Sequence, residues 1–405
     1  MPDTWQPRFH HPNRIELATG MVTAMADRPD LVADWKTRLG PHDTPRAVLE
    51  ELVLQGLQQP PLVIGFSGGR DSSALLAVST HVARREGLPA PVAFTFRYGS
   101  EAEVEAETDE SSWQELVIGH LGVTDWEKVD VGDRHDMLGE LAQRFVLTHG
   151  LVFPPPLYND TLRLTRARGG TFMSGEGGDE VFGVRRSTIW RRLRDNPRYV
   201  FSKRHLMYVA LALGPRQTRV AAWHQTLARE LGDILTYLKP EPRQQLYRDL
   251  VWHLTSEPFD LTGSLGWHLR RKMIVMHQES RTAFAHEYGV QHLDPFLEPR
   301  FVASFVRMVE PFGLATRSDA MRALFSDLLP EAILTRSSKA TFNRGFLTDV
   351  SREFAASWRG DGVDTDLVDV DLLRSAWLSR WPPTQTFGLL QAAWLHQNQN
   401  AKSAP

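Results

Sequence analysis

In the first half of the chain, apolar residues come as short blocks separated by mixed polar stretches. Leu62-Val63-Ile64-Gly65-Phe66 follows the breaker pair Pro60-Pro61 and has the length of a buried strand. Asp71 to Arg85 then alternates apolar and polar positions at helical spacing. The same succession repeats. Val92-Ala93-Phe94-Thr95-Phe96 predicts a second strand, followed by a helix from about Glu107 to His120. Trp126 to Val131 predicts a third strand and Asp136 to Thr148 a helix. Thr171-Phe172-Met173 is a short strand that runs into a glycine-rich turn, and Pro45 to Gln58 reads as a helix ahead of the first strand. Strands spaced by helices imply a parallel sheet with crossover connections. From about Arg185 onward the strand pattern fades and helices broken by Pro and Gly take over. The pattern divides the chain into an N-terminal extension (1–57), an α/β domain (58–185) and a helical C-terminal lobe (186–400). There are no repeats or low-complexity tracts.

Composition narrows the chemistry mainly by exclusion. A chain of 405 residues supports two or three folding units, and 42% hydrophobic with 23% charged residues is ordinary for a globular protein. The formal net charge of −3 gives no general attraction for nucleic acid. With no cysteine, disulfides, thiolate-bound zinc and a cysteine nucleophile are all ruled out. No apolar run approaches the roughly 18 residues of a membrane span, and MPDTWQPRFHHPNR lacks the apolar stretch of a signal peptide. A soluble cytoplasmic protein without a membrane partner is expected.

Two glycine-rich segments carry the chemistry. Ser67-Gly68-Gly69-Arg70-Asp71-Ser72-Ser73 lies between a predicted strand and a predicted helix. Glycines let the backbone turn tightly, and the helix N-terminus adds positive potential, so the segment suits a phosphate group. Asp71 would repel that phosphate unless a magnesium ion lay between them, which points to a metal–pyrophosphate complex. The simpler reading is a helix cap, which Ser and Asp commonly provide. The loop is not of the Walker type, because no Gly-Lys-Ser/Thr follows at the required spacing. The second segment, Ser174-Gly175-Glu176-Gly177-Gly178-Asp179-Glu180-Val181-Phe182-Gly183, also follows a strand. Its glycines and carboxylates are poor material for a core, and a plain acidic turn is the alternative.

The SGGRDS run resembles the pyrophosphate loop of the N-type ATP pyrophosphatases (the PP-loop superfamily, adenine nucleotide alpha hydrolase-like). That group includes GMP synthetase, NAD synthetase, tRNA-modifying ligases and asparagine synthetase. SGEGGDEVFG is similar to the signature of asparagine synthetases and their relatives, and the pair of motifs selects that family. The resemblance implies ATP and Mg2+. Gly65, Ser67, Gly68, Gly69 and Ser72 would bind ATP, largely around the leaving pyrophosphate, and Asp71 and Asp179 would share the metal. Ser174 and Gly175 would contact the ribose or α-phosphate, and Phe96 would lie where the second strand passes the adenine. Glu176 holds the position assigned to proton removal from the attacking amine; β-lactam synthetases have Tyr there.

A third block extends the likeness to roughly residues 58–350. His292-Leu293-Asp294-Pro295-Phe296-Leu297-Glu298 resembles R-x-PFLD. Leu328-Leu329-Pro330-Glu331 and Arg336-Ser337-Ser338-Lys339-Ala340-Thr341-Phe342 resemble LLPE…RPKxGF, which would make Lys339 the catalytic cation at the α-phosphate. Leu293 stands where many asparagine synthetases have arginine, and Ser318 where a lysine precedes the pair that ends in Arg322. Position 2 is Pro rather than the cysteine of a glutaminase domain, so ammonia from glutamine is not expected by the family's route. These departures favour a specialised AMP-forming amide ligase of the natural-product type, akin to β-lactam synthetases or lasso peptide cyclases. Its partners would be a small-molecule or peptide carboxylate and an amine or ammonia, with or without a protein that delivers one of them. Ammonia-dependent asparagine formation from aspartate is the second reading. A tRNA- or partner-binding role is the third, resting on the basic run Arg185, Arg186, Arg191, Arg192, Arg194, Arg198, Lys203 and Arg204. The acidic run Glu101, Glu103, Glu105, Glu107, Asp109 and Glu110 reads as a solvated loop entering a helix, and the histidines, including His277, His286 and His292, have no metal-ligand spacing.

Overall fold

The computed structural model describes residues 7–32, 35, 38–98, 109–198, 209, 211–338 and 346–403. Up to the second glycine-rich segment the order is α1 (Arg14–Thr19), α2 (Pro45–Leu57), β1 (Leu62–Gly65), α3 (Arg70–Glu86), β2 (Val92–Arg97), α4 (Ser111–Leu121), β3 (Trp126–Asp130), α5 (Glu140–His149), α6 (Asp160–Arg166), β4 (Thr171–Met173) and α7 (Gly178–Phe182). The remainder comprises α8 (Thr188–Asp195), α9 (Arg216–Leu231), α10 (Pro240–Ser256), α11 (Leu261–Leu269), α12 (Lys272–Glu287), β5 (Gln291–Leu293), α13 (Pro299–Val309), α14 (Arg317–Phe325), α15 (Glu331–Leu334), α16 (Asp349–Ser357), α17 (Val370–Leu378) and α18 (Phe387–Ser403).

All five strands are parallel, in the order β3-β2-β1-β4-β5. The fold is therefore α/β with a helical lobe, as the alternation of strand and helix predicts. The expected strands fall within a residue of their positions. One strand was not foreseen. Residues 291–293, within the stretch read as helical, pair with β4 in the register Met173↔Leu293. Gln291-His292-Leu293 is too short and too polar to show strand periodicity, and the free edge of β4 recruits it. The predicted helix after β2 starts at Ser111 rather than Glu107, which lies outside the described residues.

Helices cover both faces of the sheet, as a parallel sheet requires. On one face Ile64 and Met173 join apolar residues of α2, α3, α13 and α14. On the other, Val63, Phe94 and Phe172 join residues of α5, α12 and α18. The N-terminal extension takes part in this packing. α2 lies against α3 and α13. Upstream of it, His10 and Arg28 both reach Glu279 of α12, and Glu16 accepts from Lys272 at 2.6 Å.

Beside β2, the His135 ring is fully buried among Phe96, Tyr98 and Phe346, and neither of its nitrogens has a hydrogen-bond partner. Burial, and the nearby Arg163 charge, push its pKa down from 6.5 to about 3. Between those values the folded chain keeps His135 neutral while the unfolded chain protonates it, so this contribution to stability is lost as pH falls from 6.5 towards 3. The slope for one such group is up to about 1.4 kcal/mol per pH unit. Replacing the ring by an apolar one, His135→Phe, is expected to remove one proton's worth of that slope in urea denaturation series run from pH 7 to pH 5.

Candidate active site

The strand order reverses between β1 and β4, and both glycine-rich loops leave the sheet there. In an open parallel sheet this is where a crevice forms beyond the carboxyl ends of the strands. A cleft of about 440 Å³ occupies the place, lined by Gly65, Ser67, Gly69, Asp71, Ser72, Ser174, Gly175, Glu176 and Asp179 among others. Each of these was predicted from sequence to act at one site.

In the first loop only Phe66 to Gly69 separate β1 from α3. Gly68 has φ +83°, and a Cβ there would sit 2.9 Å from Gln114 Cγ, so glycine is required twice over. Ser67 Oγ accepts from the Gly69 N–H at 3.3 Å and lies 3.1 Å from Ser72 Oγ. The α3 N-cap is Gly69, with no side-chain hydrogen bond, so the loop does not use its Ser and Asp as a cap. That leaves amides of the first helical turn for an anion.

The second loop rests directly on the first. A Cβ on Gly178 would lie 2.2 Å from Asp71 Cγ, so only glycine lets α7 approach so closely. This contact sets Asp71 and Asp179 side by side, and the Arg317 guanidinium at the start of α14 donates to both, Nη2 to Asp71 and Nη1 to Asp179. Burial still pushes the Asp71 carboxyl above its ordinary range, the Arg317 charge notwithstanding. One of its oxygens, Oδ1, is buried with no hydrogen-bond partner. Two carboxylates share one positive charge and keep a spare oxygen, a donor set that suits a divalent magnesium ion.

The other end of the cleft is built on α12. His277 and Arg281, one helical turn apart, both reach Glu176, at 3.6 Å and 3.8 Å. Arg281 also meets Asp160 at 2.9 Å and Asp294 at 3.9 Å. Ser174 Oγ donates to Asp294 Oδ1 at 2.6 Å. Against the upward push of burial, His292, Arg281 and the Ser174 hydroxyl hold the Asp294 carboxyl well below its usual range. Asp160 is held to about 2 against burial by Arg281 and Arg163. Burial pushes Glu180 up, helped by the Glu176 charge.

Phe96 is not among the cleft-lining residues. Its ring lies edge-on to His135 and under the Arg163 guanidinium, 4.0 Å away, and Arg163 itself faces the cleft. Gly68 contributes through its carbonyl, which accepts from Arg336 Nη1 at 2.9 Å. Arg336 also pairs with buried Glu110, tying the Arg336–Ser338 segment to the first loop. Lys339, predicted as the catalytic cation, lies outside the described residues, as do Lys203, Arg204 and Glu101 to Glu107. Within the basic run, Arg186, Arg191 and Arg192 donate to the backbone carbonyls of Ala212, Gly313 and Ala315, and Arg185 is buried against His268. These four take part in the packing of the lobe.

The asparagine synthase family model matches residues 46–397. The chain belongs to the asparagine synthase family. Members of that family are ATP-dependent ligases that join a carboxylate to ammonia or an amine, and the fold and paired loops agree with that assignment. The match takes in α2 and all five strands. Compared with curated proteins, the chain has no match. Among the described residues no group of histidines and acids is arranged to hold a metal by itself, and no helix is long and apolar enough to cross a membrane.

Sequence reading missed Arg281, Arg317, His277, Asp160 and Arg163. For α12 a signal existed, since His277 and Arg281 stand at i, i+4 on one helix face. Leu293 lacks the arginine expected there; it packs against the core, and Arg281 supplies a guanidinium beside the next residue instead. Arg281→Met would leave Asp160 and Asp294 buried without their shared cation. It is expected to cost on the order of 3–5 kcal/mol at pH 7 by urea denaturation. The stabilising ion pair is fully present above the ordinary aspartate value and is lost as Asp160 protonates, so the deficit should shrink between about pH 4 and pH 2.

Proposed function

We propose that this chain adenylates a substrate carboxylate with ATP and then passes the acyl group to an amine, releasing AMP and pyrophosphate. The observation that carries this reading is the convergence of Asp71 and Asp179, from loops after β1 and β4, on one cation beside the amides of α3. A carboxylate oxygen of the substrate attacks the α-phosphorus and the bond to the β-phosphate oxygen breaks. The amine nitrogen then attacks the acyl carbon, AMP departs, and the surplus proton passes to Glu176. Asp71 and Asp179 would hold magnesium, which supplies positive charge against the departing pyrophosphate. Ser67, Gly69 and Ser72 would bind that pyrophosphate and Arg70, also in the cleft, would add charge. Ser174 and Gly175 would lie near the ribose and α-phosphate, and Phe96 would support the adenine side from beneath Arg163. Lys339 would stabilise charge at the α-phosphate.

The balance of charge at the α12 end supports a specialised substrate over aspartate. With His292 beside Asp294, the described residues there set two guanidiniums, Arg163 and Arg281, against the carboxyl groups of Asp160, Asp294 and Glu176, to which Glu180 adds a fourth. Such an end favours an amine-bearing group and disfavours a second free carboxylate. A larger carboxylate paired with an amine, as in natural-product or macrolactam synthesis, meets that condition.

ATP–pyrophosphate exchange across a panel of small and peptidic carboxylic acids, with mass spectrometry of AMP and amide, tests the reading. Exchange is expected with larger carboxylates and not with aspartate. Asp179→Ala should lower it on the order of a hundredfold, the scale of several kcal/mol of lost charge stabilisation. Asparagine appearing with equimolar AMP from aspartate and ammonium would instead make the chain an ammonia-dependent asparagine synthetase.

A further inference from the structure

The Arg317 guanidinium occupies the position between the two carboxylates that the proposed function gives to magnesium. Its backbone is fixed. Thr316 and Asp319 form a capping box at the start of α14, and Ala320, Met321, Leu324 and Phe325 bury the helix in the core. The side chain keeps one unmet donor, because its buried Nε has no hydrogen-bond partner. Arg70 and Arg336 also line the cleft, so three guanidiniums surround the place where a polyphosphate would lie.

We propose that Arg317 is a placeholder cation that makes metal and nucleotide binding mutually dependent. This inference rests on the reading of Asp71 and Asp179 as the magnesium ligands. Without nucleotide, Arg317 pairs with both carboxylates and a bare divalent ion must displace it towards Arg70 and Arg336. With ATP present, the displaced guanidinium turns onto the polyphosphate, and the metal takes the carboxylates at little electrostatic cost. Each ligand therefore raises the affinity for the other by the same factor. Arginine suits the role because its planar fork spans two carboxylates, which a lysine ammonium cannot match.

Binding of Mn2+ to the full-length protein, followed by electron paramagnetic resonance with and without α,β-methylene-ATP, tests this without any turnover. The wild type should bind Mn2+ alone weakly and gain strongly with nucleotide. Arg317→Gln should bind Mn2+ alone at least tenfold more tightly, and the gain from nucleotide should shrink by a similar factor. Arg317→Lys, which keeps the charge, should fall between them and guards against a folding artefact in the Gln variant. Equal metal-only affinity in wild type, Gln and Lys proteins would overturn the placeholder role. Asp179→Asn is run in parallel. If it left Mn2+ binding with nucleotide unchanged, the carboxylate pair would not be the metal site, and the proposed function's metal assignment would fall first.

Discussion

A carboxylate taken out of water beside a second carboxylate needs a cation to offset the cost of its charge. Asp71 is in that position next to the more exposed Asp179, Arg317 donates to both, and much of the surrounding structure serves to make the contact arise. Gly178 removes the Cβ that would keep α7 off Asp71. Gly68 turns the first loop so that α3 begins at once with unsatisfied amides. α14 brings a guanidinium from far along the chain to the same point. An apolar core could have filled this space at lower electrostatic cost, so the arrangement makes sense as a receptacle for a charged ligand.

The sheet topology explains why these groups meet. Neighbouring parallel strands β1 and β4 are separated in sequence by three crossovers, those through α3 and α4 on one face of the sheet and that through α5 and α6 on the other, so their carboxyl ends open onto one crevice. The same geometry separates the cleft into two ends. Around the first loop, Arg70, Arg317 and Arg336 stand against Asp71, Asp179 and Glu110. Around α12, the carboxyl groups of Asp160, Asp294 and Glu176 meet the guanidiniums of Arg163 and Arg281.

Sequence made much of this visible. Strand and helix periodicity located β1 to β4 almost to the residue, and the two glycine-rich loops, whose composition is poor material for a core, line one cleft. The rest depended on tertiary contact. Arg281 and Arg317 lie in helices, where a charged residue normally means a solvated face; only the packing of α12 and α14 against the loops turns them inward. Leu293 signalled that something had changed without saying what replaced it. Phe96 sits on the expected strand, but its ring points into an aromatic cluster below the cleft, a side-chain direction that alternation along a strand leaves open when both faces are buried.

β5 ties the helical lobe into the sheet at Leu293, one residue before Asp294, which in turn holds Ser174 of the second glycine-rich loop. The two ends of the cleft thus share a hydrogen-bonded lattice rather than a hinge. Removing the helical lobe would expose the edge of β4 and free Ser174 at the same time, so the lobe and the sheet stand or fall as one folding unit.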